Sequence, residues 1–174
     1  MDNNVALLVI DVQVGMFPES DPVHNADGLI ENIKTLIEKS RFAGTPIIYV
    51  QHNDGPGELL EPGAPEWEFH PAIRPNEGDA VIQKTTPDSF HETHLQSELL
   101  NRGIKKLILT GIQTELCIDT TCRRARSLGY DVVLAKDAHS TWKRGELSAE
   151  NIIEHHNSLL CWFADVKESS RIQF

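Results

Sequence analysis

The chain has 174 residues, 40% hydrophobic and 24% charged, which is long enough for one domain with a substantial core and short for two. Its 26 acidic against 16 basic residues give a formal net charge of -10, and the basic residues cluster no further than KK and RR pairs, so a nucleic-acid backbone is not an expected partner. Three cysteines, an odd number without metal-site spacing, make no disulfide framework and suit a reducing compartment.

The opening segment MDNNVALLVIDVQ begins acidic, lacks a positively charged leader region and carries an apolar run too short to cross a bilayer. The expectation is a cytoplasmic protein with no membrane partner. Within that segment VALLVIDV (5–12) reads as a strand buried on both faces. A helix follows, capped by Asp27, with Ile30, Ile33 and Ile37 on one side and Gly44 past its end. PIIYVQ (46–51) is the second strand. Residues 52–79, rich in Gly, Pro and charge, then form a connection longer than compact domains ordinarily use. Its Trp67, Phe69 and His70 point to a packed lid or a subunit contact rather than disorder.

AVIQ (80–83) is the third strand, and a helix from about 92 to 101 presents Leu95, Leu99 and Leu100 before Gly103. KLILTGI (106–112) is the fourth strand; the helix after it starts near Thr114 as N-cap and carries Ile118, Cys122 and Ala125 up to Gly129. DVVLAKD (131–137) is the fifth strand, 148–161 a helix with Ile152, Ile153, Leu159 and Leu160, and WFADVKE an added edge strand. Strand and helix alternate throughout, which predicts a doubly wound α/β domain over 1–174 with a parallel sheet.

In such sheets ligands sit outside the carboxyl ends of the strands. Asp11 ends the first strand, Lys84 ends the third, and Cys117 follows the fourth by one tight turn. The trio has a coherent chemistry. A helix start and a nearby ammonium lower a thiol's pKa, so Cys117 is expected as a thiolate nucleophile beside Lys84. Asp11 can take a proton and hand it to a leaving amine, while backbone amides in the GIQTELC turn receive the acyl oxygen. Amide hydrolysis through a thioester follows.

The stretches LLVIDVQVGMF, VIQKTTPDSF and LILTGIQTELCIDTTCRRARSLGYDVVLAKDAHST resemble the isochorismatase-like cysteine hydrolases, a superfamily of nicotinamidases, N-carbamoylsarcosine amidases and isochorismatases. The likeness runs in order over nearly the whole chain. It implies an Asp11, Lys84, Cys117 triad, and a three-layer α/β/α fold with a six-stranded parallel sheet of order 3-2-1-4-5-6. It also implies a cis peptide between Ile112 and Gln113, an oxyanion hole from the amides of Gln113 and Cys117, and assembly as a homodimer or homotetramer, for which 52–79 is a candidate contact. If the Lys84 strand is outermost, the loop TTPDSF must carry its ammonium back toward Asp11. The implied substrate is a small amide, carbamoyl or ureido compound. Isochorismatases themselves cleave a vinyl ether without needing the cysteine, so Cys117 favours C–N cleavage over that alternative. A phosphoacceptor receiver domain and a catalytically silent binding domain are the readings from other classes; the first lacks its paired acids here, and the intact trio argues against the second.

Several residues around the trio are candidates for the pocket. Gln13 could orient Asp11, and Phe17, Trp67, Phe90 and Trp142 could wall a small substrate site. Cys122 and Cys161 lie on apolar helix faces and read as packing. The likeness puts His139 and Ser140 near the pocket, without chemistry assigned. Nicotinamidases of this superfamily carry an Asp-x-His metal motif after the second strand, but Val50 stands where that Asp would be, leaving His52, Asp54 and His70 as the alternative ligand set. Valine cannot bind a metal, so no metal or other cofactor is expected. Exhaustive chelation should leave the rate unchanged; loss of turnover in EDTA, restored by zinc or iron, would establish the His52, Asp54 and His70 alternative.

Overall fold

In the computed structural model, which describes residues 4–174, one sheet organises the chain. Met1–Asn3, the start of the acidic opening segment, lie outside the described residues. The strands are Val5–Ile10 (β1), Ile47–His52 (β2), Ala80–Lys84 (β3), Lys106–Ile112 (β4), Asp131–Ser140 (β5) and Asp165–Lys167 (β6). All pairings are parallel and the order is β3-β2-β1-β4-β5-β6, as the family resemblance implies and unlike the 2-1-3-4-5 order of receiver domains.

The unbroken apolar runs are explained by burial on two sides. On β1, Ala6, Leu8 and Ile10 join Ile48, Val50, Leu107 and Leu109 on one face, while Val5, Leu7 and Val9 join Tyr49 and Ile108 on the other. The helix Ala26–Ala43 (α1) covers the second face through Leu29, Ile33 and Leu36. The helices Leu95–Asn101 (α2), Asp119–Ser127 (α3) and Ala149–Leu160 (α4) cover the first through Leu95, Leu99, Cys122, Ala125 and Leu160. Each buried Val, Leu or Ile among them contributes about 1.5–3 kcal/mol by leaving water. Among the described residues no helix is long and apolar enough to cross a membrane.

The local differences from expectation have local causes. Asn25, in a left-handed conformation, precedes α1, so Asp27 sits in the first turn instead of capping it. The second helix begins at Leu95 rather than 92 because Glu92 adopts φ 53, which no helix accepts. β5 runs on to Ser140 through an irregularity: Leu109 pairs with Leu134, but Gly111 pairs with His139. Cys122 is fully buried, whereas Cys161 is exposed at the end of α4 with its thiol on the Ser158 carbonyl, so it is not a packing residue. Residues 52–79 are folded, with 3-10 turns at Pro65–Trp67 and Pro71–Ile73 and with Leu60, Phe69 and Ile73 buried. This segment lies against the turn after β1, where a Cβ on Gly15 would come within 2.9 Å of the Leu60 side chain.

Gly111 sets how closely β4 approaches the end of β1. It pairs with Ile10, adopts φ +128, and a Cβ there would lie 2.0 Å from the Ile10 carbonyl oxygen, a backbone atom that cannot step aside. Gly111→Ala should therefore cost about 3 kcal/mol or more through strain and overpacking, lowering the melting temperature by about 6–12 °C. Thermal denaturation checks this, and an unchanged melting temperature would show that the contact is relieved without cost.

Candidate active site

Three strand ends meet at one rim. Asp11 follows β1 directly with φ 52, a left-handed conformation that aspartate tolerates better than most residues, and its amide is tied to the Val50 carbonyl at 2.9 Å. Lys84 ends β3 at the edge of the sheet, in register with His52, which ends β2. Its four-carbon stem crosses the end of β2, and Nζ lies 2.7 Å from Asp11 Oδ2, 3.3 Å from Cys117 Sγ, 3.2 Å from His52 Nδ1 and 3.0 Å from the Thr86 carbonyl. The crossing expected of the TTPDSF loop is thus made by the lysine itself; the loop supplies one carbonyl. The side chains of Lys84 and Asp11 are 0% and 1% exposed. Asp11 Oδ2 faces the ammonium as an ion pair without hydrogen-bond alignment, and Oδ1 has no hydrogen-bond partner among the described residues.

Cys117 sits in a π-helical turn, Thr114–Ile118, that joins β4 to α3 after the cis Ile112–Gln113 peptide. The Gln113 carbonyl accepts the amides of Leu116 at 3.2 Å and Ile118 at 3.0 Å, passing over that of Cys117. Thr114 is not the N-cap that the sequence suggests, since Gln113 holds that position. Its hydroxyl is 2.8 Å from His139 Nδ1, His139 Nε2 is 2.9 Å from Asn157 Oδ1, and Asn157 Nδ2 donates to the Lys136 carbonyl at 3.0 Å. The last bond fixes the amide's orientation, so His139 donates from Nε2 and Thr114 donates to Nδ1. Burial pushes His139 down to about 4, so the ring stays neutral as this chain of bonds requires. The role of His139 in holding the cysteine turn is not visible in the sequence, because it depends on the irregularity that brings His139 opposite Gly111.

The electrostatics correct one expectation. The Cys117 thiol is pushed up to about 12, first by burial and then by the Asp11 carboxylate, against which Lys84 pulls down. Cys117 rests as a thiol, not a thiolate. Lys84 is raised: burial works against the ammonium, but Asp11 and Cys117 together outweigh it.

His52 and Asp54 stand together, with Nε2 3.1 Å from Oδ1, and Asp54 Oδ2 also accepts the Leu60 amide at 3.0 Å. With Nε2 turned to Asp54, the lone pair of Nδ1 is free for the Lys84 ammonium. His70 stands apart, its ring tilted against Phe17 with centroids 4.8 Å apart, and it accepts the Ala72 amide. The three do not converge, and among the described residues no group of three metal-ligating side chains assembles. The coupling of His52 to Lys84 was legible in one respect: both residues end neighbouring strands.

The rim opens on a cavity of about 550 Å³, with Asp11, His52, Gln113 and Cys117 among its lining and Met16, Leu59, Leu60, Leu116 and Trp142 along its walls. Of the five residues expected to bind substrate, Trp142 alone lines it. Gln13 is fully buried and does not orient Asp11; it clamps the backbone of His52, accepting its amide at 2.8 Å and donating to its carbonyl at 3.0 Å. Phe17 lines a neighbouring hollow with His70. Phe90 is in the core, stacked on Tyr130 at 5.9 Å. Trp67 is half-buried, its indole on Asn53 and its carbonyl accepting from Gln13 and Gln51. Sequence reasoning missed Met16, Leu59, Leu60 and Leu116, although an apolar Leu pair inside an otherwise polar loop was a signal for the middle two.

The thiol shifts carry a prediction. A thiol with an ordinary value of 9.0 unfolded and about 12 folded holds its proton longer in the native state, so stability falls as pH rises from about 9 toward 12. Buried Cys122 acts in the same direction. Chemical denaturation across this range should show the decline, and Cys117→Ala, which removes one of the two buried thiols, should show a shallower one.

The family profile of the isochorismatase domain matches residues 5–163. The chain is 34% identical over 137 residues to streptothricin hydrolase of Streptomyces noursei, a match that covers 79% of this chain and 50% of that protein, so it spans about half the length of that relative. It is 30% identical over 169 residues to ureidoacrylate amidohydrolase RutB of Variovorax paradoxus, covering 76% of this chain and 67% of that one. The crystal structure of an isochorismatase from Pseudomonas putida superimposes with a TM-score of 0.93 at 29% identity, over 98% of this chain and 90% of the other. With its sheet order and a profile match over most of its length, the chain belongs to the isochorismatase family.

Proposed function

We propose that the chain is a cysteine hydrolase that cleaves a C–N bond of a small amide, carbamoyl or ureido compound through a thioester on Cys117. The observation that carries this reading is the convergence of Asp11 and Cys117 on one cavity with the Lys84 ammonium touching both. Two relatives named for hydrolysis, one of them an amidohydrolase, support it. The thiol chemistry also favours it over vinyl ether cleavage, which needs no nucleophilic sulfur.

Because Cys117 rests protonated, attack and proton transfer belong to one step. The sulfur adds to the substrate carbonyl as its proton passes to the Asp11 carboxylate, whose Oδ1 is unpartnered, and Lys84 at 3.3 Å stabilises the charge forming on sulfur. The carbonyl oxygen becomes an oxyanion held by the amides of Gln113 and Cys117. Collapse of the tetrahedral adduct breaks the C–N bond, and Asp11 returns its proton to the leaving nitrogen. A water then adds to the thioester, giving its proton to Asp11, and the second collapse releases acid and restores the thiol. Lys84 stays charged throughout, its other contacts on His52 and Thr86 fixing where the ammonium sits.

A screen for ammonia release over small amides, carbamoyl compounds, ureides and lactams should find turnover, and mass spectrometry of substrate-quenched enzyme should find an acyl group on Cys117. Asp11→Asn, which removes the proton carrier and also leaves the Lys84 ammonium without its counter-charge, should lower the rate by about 10²–10⁴ or more. A Cys117→Ala protein that released ammonia near the wild-type rate would overturn the reading.

A further inference from the structure

Resting on that reading of the site, we infer that the substrates carry no carboxylate or phosphate: the cavity is shaped for an amide with an apolar body and an uncharged or cationic outer end. No lysine or arginine is among the lining residues, which include three aspartates, Asp11, Asp21 and Asp54. Lys84, behind Asp11, is fully buried, and its ammonium already faces Asp11, Cys117, His52 and the Thr86 carbonyl. It has no free donor to offer an anion.

The guanidinium that touches a lining residue, that of Arg144, is committed elsewhere. Arg144 donates to Glu115 Oε1 from Nε at 3.1 Å and from Nη2 at 2.9 Å, and reaches the site only through Gln113 Oε1 at 3.4 Å. Asp21, an exposed residue of the lining, makes no side-chain hydrogen bond or ion pair among the described residues, and its carbonyl receives the Trp142 indole N–H at 2.8 Å, which fixes that stretch of rim. An anion entering here would lose its water, find no cation to replace it, and face Asp21 and then Asp11. A cation would meet Asp21 on the way in, helped by the net charge of -10. The walls of Met16, Leu59, Leu60, Leu116 and Trp142 reward an apolar ring or chain in between.

The test uses three thiol probes of one shape: N-phenyl iodoacetamide, its para-carboxylate and its para-trimethylammonium derivative. Alkylation of Cys117 is followed by mass spectrometry under mildly alkaline conditions, with exposed Cys161 of the same molecule as the reference for intrinsic reactivity. Relative to Cys161, the carboxylate probe should label Cys117 at least about tenfold more slowly than the neutral probe, and the cationic probe should equal or exceed the neutral one. Asp21→Asn should reduce the ratio for the cationic probe. Labelling by the carboxylate probe as fast as by the neutral one overturns the inference, and loss of that labelling in Arg144→Ala would identify Arg144 as an anion anchor. Labelling requires the thiol and the cavity but no turnover, so these results stand apart from the ammonia and acyl-adduct measurements that decide the proposed function.

Discussion

Everything at the rim depends on one buried ammonium. Lys84 enters the sheet at its edge, yet its charge is neutralised at the centre, beside the strand that carries Asp11. A lone ammonium at that depth would be strongly disfavoured, as would a lone carboxylate, so neither residue is stable there without the other. The pair therefore fixes the distance between the ends of β3 and β1. It also fixes where the thiol must be, because Cys117 fills a remaining position around the same nitrogen. The surrounding structure is arranged to permit this: Gly111 allows β4 to close on β1, and Gln13 immobilises the backbone of His52 where the lysine stem passes.

How much of this was legible in the sequence differed by scale. The strand ends that carry Asp11, Lys84 and Cys117 were readable because continuous runs such as VALLVI and KLILTGI mark strands covered on both faces, and their termini follow. Sheet order came from the family likeness rather than from periodicity. The aromatics were not legible: Phe90 and Trp142 both follow strands, but one stacks in the core on Tyr130 and the other walls the cavity, a choice made by partners distant in sequence. The state of the thiol was misread for the same reason. A helix start and a cation are visible in a sequence, whereas the depth of burial and the approach of Asp11, which decide the sign, are not.

The turn that carries Cys117 has a second support on the far side. Thr114, His139, Asn157 and the Lys136 carbonyl form a directional series of hydrogen bonds joining that turn to β5 and α4. Each member has one role fixed by the next, so the neutral, Nε2-protonated imidazole is the form that satisfies both ends. Cys117 is thus held from two directions, by an ion pair on one side and an uncharged relay on the other.

Residues that would perform the chemistry and residues that shape the space come from different parts of the chain. Asp11, Lys84 and Cys117 issue from strand termini locked into the sheet, but Leu59 and Leu60 belong to the connection between β2 and β3, packed on the turn after β1 without joining the core ladder. Such a division lets the two change at different rates under selection. Insertions or exchanges around Leu59 and Leu60 would remodel the chamber while leaving the reacting atoms in register, so relatives sharing this rim can diverge in what they accept without relearning how to break a bond.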